Sequence, residues 1–178
     1  MKTAVVVFPG SNCDRDVQRA VSESMQTAVD MVWHEEENFS RQPDLVILPG
    51  GFSYGDYLRS GAMAARSPII KAVREHADRG GLVLGICNGF QILTETKMLP
   101  GALLPNTSLT FICRRCHVRV ERTDNKFTSG LKEGEVMQFP IAHHEGLFFL
   151  PDVDLKKLEE AGRVVFRYAD PETGKAGA

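Results

Sequence analysis

The sequence predicts an α/β protein with a doubly wound, mostly parallel sheet, helices on both faces, and an antiparallel extension in its second half. Three apolar strands are expected at residues 3–8, 44–48 and 82–86, and each is followed by a turn and a helical pattern. Strands that are apolar throughout are typical of a parallel sheet covered on both faces. Right-handed crossovers place the carboxyl ends of these strands at one edge of the sheet.

The remaining elements follow from periodicity and turn signals. Apolar residues at helical spacing predict helices over residues 14–27 and 62–77, and Ser11 or Asn12 is expected to cap the first. Residues 29–33 form a further predicted strand. The second half is less regular, and its expected elements are strands at 109–120, 136–141 and 163–168 and a short helix at 154–161.

Length and composition favour one globular domain spanning residues 1–178. The net charge of −2 argues against a nucleic-acid-binding surface, which needs a basic excess on one face. The chain starts directly on a predicted strand without a basic-then-apolar leader, and no apolar run approaches membrane-spanning length. We therefore expect a cytoplasmic protein with reduced cysteine thiols and no membrane or nucleic-acid partner.

The segment Gly85–Gln91 carries the strongest chemical signal. Cys87 has a glycine two residues before it and two after it at a strand-to-helix junction, which is the nucleophile-elbow pattern with Cys in place of Ser. A side chain on so sharp a turn leaves no room for Cβ atoms on its neighbours. The following helix directs N–H groups and its positive dipole end at the sulfur. The alternative is a buried, inert cysteine, and the two glycines favour a nucleophile.

A second glycine-rich segment, Pro49–Tyr57, follows the predicted strand at 44–48. Loops at the carboxyl ends of parallel strands carry the chemistry of α/β proteins, and adjacent glycines let backbone N–H groups approach a ligand. We expect Gly50 and Gly51 to face Cys87. The N–H of Asn88 and one N–H of the Gly50–Gly51 turn would then form an oxyanion hole for acyl transfer to a thiolate. An ordinary turn is the alternative.

Acyl transfer also needs a base, normally a histidine that a carboxylate orients. His143 and His144 with Glu145 are candidates. They are neighbours in sequence, which is poor geometry for a proton relay. A histidine that contributes to a substrate-binding loop is therefore an equally good interpretation.

No metal site is predicted. Cys113–His117 matches the C-x-x-C-H string of haem attachment, but that reaction needs an exported chain. As a zinc half-site it lacks a second pair of ligands at a suitable spacing. We interpret the string as a coincidence within a strand.

Four segments together carry a family resemblance: Pro9–Asp16, Pro49–Tyr57, Gly85–Gln91 and Ile141–Gly146. With them the sequence resembles class I (triad) glutamine amidotransferases, which have a flavodoxin-like fold. Within that class it is similar to the glutaminase subunits of phosphoribosylformylglycinamidine synthase in purine biosynthesis. The elbow alone indicates only the class, whereas the aromatic loop and the turn after the first strand indicate the purine enzyme. The similarity extends to about Tyr168.

The resemblance implies a role for each matching residue. Cys87 would attack the side-chain amide of glutamine, release ammonia and hold a glutamyl thioester, while the backbone N–H groups of Gly51 and Asn88 would form the oxyanion hole. The residues expected to bind the substrate glutamine are Gly50, Phe52, Gln91 and His143. The ammonia would pass to a separate synthetase subunit that uses ATP and Mg²⁺, often with a small bridging subunit. No cofactor is expected in this chain itself.

One departure from the family pattern bears on activity. The catalytic His and Glu of the family lie in a Pro-His-Pro-Glu-type motif near the C-terminus, and residues 1–178 contain no such motif. We therefore expect a single glutamine amidotransferase domain that is incomplete at its C-terminus. The alternatives are a non-catalytic binding or regulatory module that has lost its triad and another enzyme with a cysteine elbow. The aromatic loop after Gly51 argues against the last.

Overall fold

The computed structural model describes residues 1–177 and divides into two compact units, which meet in sequence between Leu103 and Leu104. The first unit contains β1 (Thr3–Val7), α1 (Asp14–Met25), β2 (Val29–Trp33), β3 (Leu45–Leu48), α2 (Ile69–Asp78), β4 (Leu82–Gly85) and α3 (Asn88–Glu95), with 3-10 turns at Ser53–Asp56 and Ala64–Arg66. The later elements are β5 (Ala102–Leu104), β6 (Ile112–Val120), β7 (Val136–His143), β8 (Leu147–Phe149), α4 (Asp152–Glu160) and β9 (Phe166–Tyr168). That residues 1–178 act as one domain stays a prediction.

The first unit is built on a parallel sheet of four strands in the order β2-β1-β3-β4. Thr3 of β1 lies opposite Val29 on one side and Leu45 on the other. At the far end, Leu48 of β3 lies opposite Gly85 of β4. This register brings the loops after β3 and β4 to the same edge of the sheet, as the sequence predicts.

Helices cover both faces of this sheet, because successive strand residues point to opposite sides. One face packs against α2 and α3 through buried side chains: Val6, Val46, Leu48, Ile69, Val73 and Ile92. The other face packs against α1: Val5, Ile47, Val17 and Val21. The predicted doubly wound α/β fold is therefore confirmed.

The helix predicted over residues 62–77 is shorter than expected. Ala64–Arg66 forms only a 3-10 turn, Ser67 is extended at φ −65° and ψ 142°, and α2 begins at Ile69. Pro68 explains the break, because a proline ring disfavours the helical conformation of the residue before it.

The second unit contains an antiparallel sheet of three strands in the order β7-β6-β9. Strand β6 is a single strand of nine residues that pairs with β7 from Ile112 opposite His143 to Arg119 opposite Val136. This sheet is the predicted antiparallel extension. Among the described residues, no helix is both long enough and apolar enough to cross a membrane.

Glycine at position 89 lets α3 pack directly against β3. A Cβ atom built on Gly89 would lie 2.0 Å from the carbonyl oxygen of Leu48, and one built on Gly85 would lie 2.8 Å from the backbone of Gly89. Real Cβ atoms essentially never approach a neighbour so closely, so both positions require glycine. The contact holds the first turn of α3 against the carboxyl ends of β3 and β4.

We expect Gly89→Ala to lower the free energy of unfolding by about 1–3 kcal/mol, because overpacking a tight interior against backbone forces the helix to move. Alanine within a helix is otherwise more stabilising than glycine by roughly 1 kcal/mol. A lower free energy of unfolding in the variant is therefore due to the close contact with Leu48. Urea unfolding measures the change. Gly130→Ala is the matched control, since a Cβ there meets nothing within 4 Å. Equal stability of the two variants would contradict the packing argument.

Candidate active site

The loop after β1 and the loop after β3 are hydrogen-bonded to each other. The Tyr54 N–H donates to the carbonyl oxygen of Pro9 at 2.6 Å, and the Ser11 hydroxyl donates to the carbonyl oxygen of Gly50 at 3.1 Å. Ser11 therefore does not cap α1. Cys13 occupies the N-cap position instead, without a side-chain cap hydrogen bond, and the sequence-based assignment of that cap is wrong. These contacts fix the glycine turn at the edge of the sheet.

Cys87 lies on a strained backbone turn between β4 and α3. Its φ of 51° and ψ of −108° place a non-glycine residue in the region that favours glycine. Such strain persists only where the surroundings hold it, and here the tight packing of Gly85 and Gly89 does so. The Cys87 residue is exposed at the N-terminus of α3. This is the geometry of a nucleophile elbow.

The two N–H groups predicted to form the oxyanion hole, those of Gly51 and Asn88, are directed at the Cys87 sulfur. Cys87 is exposed as a residue, but the surrounding protein partly desolvates its sulfur, and this raises the pKa of the thiol above its ordinary value. Hydrogen bonds from the backbone N–H groups of Asn88 and Gly51 lower this pKa, and the negative charge of Asp56 raises it. The net result is a raised pKa of Cys87, so without substrate the site favours the neutral thiol over the thiolate. Two donors that converge beside a nucleophile are what stabilisation of an oxyanion requires.

Gly51 has a conformation and surroundings that no other residue fits. Its φ is +112°, and a Cβ atom there would lie 2.5 Å from Asn12 Oδ1 and 2.8 Å from the Asn12 nitrogen. Gly50 lies beside the nucleophile, because a Cβ there would be in ordinary van der Waals contact, 3.4 Å, with the Cβ of Cys87. The sequence predicted that these glycines face Cys87, and the structure brings the three residues together.

The Asn88 side chain ties the aromatic loop to α3, a role that sequence reasoning missed. It is 1% exposed, and its Oδ1 accepts a hydrogen bond from the Ser53 N–H at 3.3 Å. Its Nδ2 donates to Asp56 Oδ1 at 3.3 Å and to Gln91 Oε1 at 3.0 Å. The same residue thus offers its backbone N–H to the sulfur and fixes the side chain of Gln91, a predicted substrate contact.

The aromatic residues of the loop divide into an anchor and an exposed pair. The Tyr54 hydroxyl lies 2.9 Å from His34 Nδ1 and 3.2 Å from Ser67 Oγ, which fixes the loop to the body of the unit. Phe52 is 52% exposed and Tyr57 is 74% exposed. Of the predicted site residues, Gly50, Gly51, Phe52, Cys87, Asn88 and Gln91 all belong to the first unit.

His143 belongs to the second unit, where it is the last residue of β7 and its ring is held by hydrogen bonding. Its Nδ1 lies 3.0 Å from Asn106 Oδ1, which also accepts the Gly146 N–H. The Asn106 Nδ2 donates to the carbonyl oxygens of Thr110 and His143, so the amide orientation is determined. Nδ1 of His143 therefore carries the proton, and Nε2 is the acceptor in the neutral ring. Its role in binding substrate stays a prediction.

The other predicted features of the second unit have ordinary surroundings. His144 Nδ1 and Glu145 Oε1 lie 2.9 Å apart as sequence neighbours on the surface. Cys113 and Cys116 are three positions apart on β6, so their side chains point to opposite faces and do not chelate one ion. Within residues 1–177, no group of three or more His, Cys, Asp or Glu side chains is arranged to hold a metal ion.

We expect Asp56→Asn to lower the pKa of Cys87, because a carboxylate near a thiol disfavours the thiolate and its removal relieves that cost. The rate of Cys87 alkylation by iodoacetamide, followed on the Cys87 peptide, should rise at pH values below the wild-type midpoint. The midpoint itself should move to lower pH.

Asp14→Asn is the matched control, because the charge of Asp14 acts on Cys13 in this site. It should leave the Cys87 midpoint unchanged. An unchanged or raised midpoint in Asp56→Asn would contradict the electrostatic account.

Comparison with known proteins shows the family to which the chain belongs. The sequence model of the CobB/CobQ-like glutamine amidotransferase domain matches residues 1–178. The chain is 51% identical to phosphoribosylformylglycinamidine synthase subunit PurQ of Aquifex aeolicus, over 97% of its own length and 75% of that protein. It is 54% identical to the protein of the same name from Rhodopseudomonas palustris, over 99% of its length and 76% of the relative.

A solved structure that is similar to this chain belongs to the same family. A chain in the structure of PurLQS from Thermotoga maritima matches with a TM-score of 0.80 and 42% sequence identity, covering 98% of this chain and 77% of that chain. Fold, elbow and sequence similarity therefore agree, and the chain belongs to the CobB/CobQ-like glutamine amidotransferase family, among the PurQ subunits of phosphoribosylformylglycinamidine synthase.

Proposed function

We propose that this chain is the glutaminase subunit of a phosphoribosylformylglycinamidine synthase, which hydrolyses glutamine to glutamate and ammonia for de novo purine biosynthesis. The observation that carries the proposal is the strained elbow at Cys87, with the N–H groups of Gly51 and Asn88 directed at its sulfur. The names of its relatives support the assignment to the purine enzyme.

The chemistry follows from these three residues. The Cys87 thiolate attacks the side-chain amide carbon of glutamine, and the carbonyl oxygen becomes an oxyanion that the two N–H groups stabilise. Collapse of this intermediate expels ammonia and leaves a γ-glutamyl thioester on Cys87. Water then attacks the thioester and releases glutamate. The same N–H groups act in both steps, because each step passes through an oxyanion.

The free thiol needs a base, because burial and Asp56 keep the pKa of Cys87 raised. We propose that the base is the family's His–Glu pair in a longer form of the same domain. The greater length of the relatives supports this, since the chain covers 75% of the Aquifex aeolicus protein. On this proposal neither His143 nor His144 serves as the base.

Glutamine is held by the residues that surround the elbow. Gln91 has a side chain already oriented by Asn88, which reduces the entropy lost on binding. Gly50 gives the substrate close access to the sulfur, and Phe52 offers an exposed apolar surface beside it. A contribution of His143 to glutamine binding stays a prediction from the family resemblance.

The ammonia passes to a synthetase subunit that uses ATP and Mg²⁺, and a small third subunit bridges the two. The solved neighbour described as PurLQS supports an assembly of this kind. The exposed Phe52 and Tyr57 lie on the loop beside the nucleophile and suit contact with such a partner. We place the complex in the cytoplasm, as expected for a biosynthetic enzyme.

We expect Cys87→Ala, assembled with its synthetase, to lose glutamine-dependent synthesis by at least about 1,000-fold, because the covalent nucleophile is removed. Ammonia-dependent synthesis by the same complex should persist, since that reaction bypasses the elbow. Both rates are measured as formation of formylglycinamidine ribonucleotide.

Cys113→Ala is the control, because Cys113 is an exposed thiol on β6 of the second unit. It should retain both activities. Glutamine-dependent synthesis that survives in Cys87→Ala would reject the nucleophile. Intact wild-type subunit that assembles with the synthetase but never consumes glutamine would favour a non-catalytic module instead.

A further inference from the structure

A second thiol, that of Cys13, lies beside the nucleophile. A Cβ atom built on Gly50 would lie 3.4 Å from the Cβ of Cys87 and 3.8 Å from the Cβ of Cys13. The two cysteines therefore line the same methyl-sized space, which Gly50 leaves open because it has no side chain. Both are free thiols; Cys13 is half-buried and Cys87 is exposed.

The two thiols also interact electrostatically. Burial is the main cause that raises the pKa of Cys13, followed by the charge of Asp16 and then by a thiolate at Cys87. A disulfide needs Cβ atoms roughly 3.5–4.5 Å apart. Both Cβ atoms lie within 4 Å of the same point beside Gly50, so both sulfurs can turn toward that space, and a bond between them requires the loop after β1 to adjust. Cys13 is the N-cap of α1, and its carbonyl oxygen accepts the Val17 N–H at 3.1 Å, so this adjustment also moves the first turn of α1.

We propose that Cys13 is a resolving thiol that forms a reversible disulfide with Cys87 when a hydroperoxide oxidises the site. In the first step, the thiolate form of Cys87, which is the minor form because its pKa is raised, attacks the peroxide oxygen, gives a sulfenic acid and releases water or an alcohol. In the second step, the Cys13 thiolate attacks the Cys87 sulfur, the S–O bond breaks, and the hydroxyl leaves as water after taking up a proton. The two thiols are oxidised by two electrons, and the hydroperoxide is reduced by two.

The disulfide has two consequences for the site. It blocks the nucleophile while it persists, and it diverts Cys87 from irreversible oxidation to sulfinic acid. Reduction by a dithiol restores both thiols by thiol–disulfide exchange. The effect on glutamine turnover rests on the proposed function, whereas the formation of the bond between the two sulfurs does not.

Mass spectrometry of the full gene product tests the bond directly. Wild type is treated with hydrogen peroxide, its remaining thiols are alkylated, and it is digested with trypsin without reduction. We expect a cross-linked species that joins the peptides of residues 3–15 and 80–97, with the mass of the pair less two hydrogens. Dithiothreitol should separate the two peptides and release both thiols.

Cys13→Ser is the matched variant, and it should keep the basal glutamine turnover of the assembled enzyme because Cys13 takes no part in the chemistry at Cys87. After the same treatment, its Cys87 should reach sulfinic acid. Recovery of turnover on adding dithiothreitol should then be at least about fivefold greater in wild type, because only the disulfide is reversible by thiols.

Two results would overturn the proposal. One is sulfinic acid at Cys87 of wild type with no species that joins the two peptides. The other is equal recovery in wild type and Cys13→Ser. Because the cross-linked peptide is detected by mass, a chain without glutaminase activity would still give a decisive answer. Failure of the disulfide is therefore distinguishable from failure of the proposed function.

Discussion

The site depends on one backbone constraint, the left-handed turn that Cys87 makes between β4 and α3. A non-glycine residue at φ 51° and ψ −108° carries a cost of roughly 1–3 kcal/mol, which the surrounding packing must offset. The packing does so because Gly85 and Gly89 let strand and helix approach to backbone contact. The strain in turn exposes the sulfur at the positive end of α3.

The elbow acts together with the loops after β1 and β3, and Asn88 joins these parts. Its backbone N–H is directed at the sulfur, while its buried amide binds the loop at Ser53 and Asp56. The loop carries Gly51, which supplies the second donor. Donors fixed before the reaction stabilise an oxyanion without reorganisation, which is the main advantage of a rigid site. The protein that holds these donors also partly desolvates the sulfur, and this raises the pKa of Cys87. The site therefore combines preorganised N–H donors with a lower fraction of thiolate.

Glycine and proline made much of this arrangement predictable from the sequence, because they report backbone geometry directly. Gly85 and Gly89 indicate the elbow, and Pro68 indicates the late start of α2, because proline disfavours a helical conformation at Ser67. The buried Asn88 amide was not predictable, since its partners come from two segments whose distance a single sequence does not give. Cys13 was missed for the same reason, because only the fold brings the loop after β1 to Gly50.

The most direct measurement is to trap the covalent intermediate. The subunit is assembled with its synthetase, supplied with isotopically labelled glutamine, quenched in acid during turnover, and digested for mass spectrometry. We expect a labelled γ-glutamyl thioester on Cys87, within the tryptic peptide of residues 80–97. Glutamine consumption with no label on Cys87, or with the label on another cysteine, would contradict the assignment of this elbow as the catalytic nucleophile.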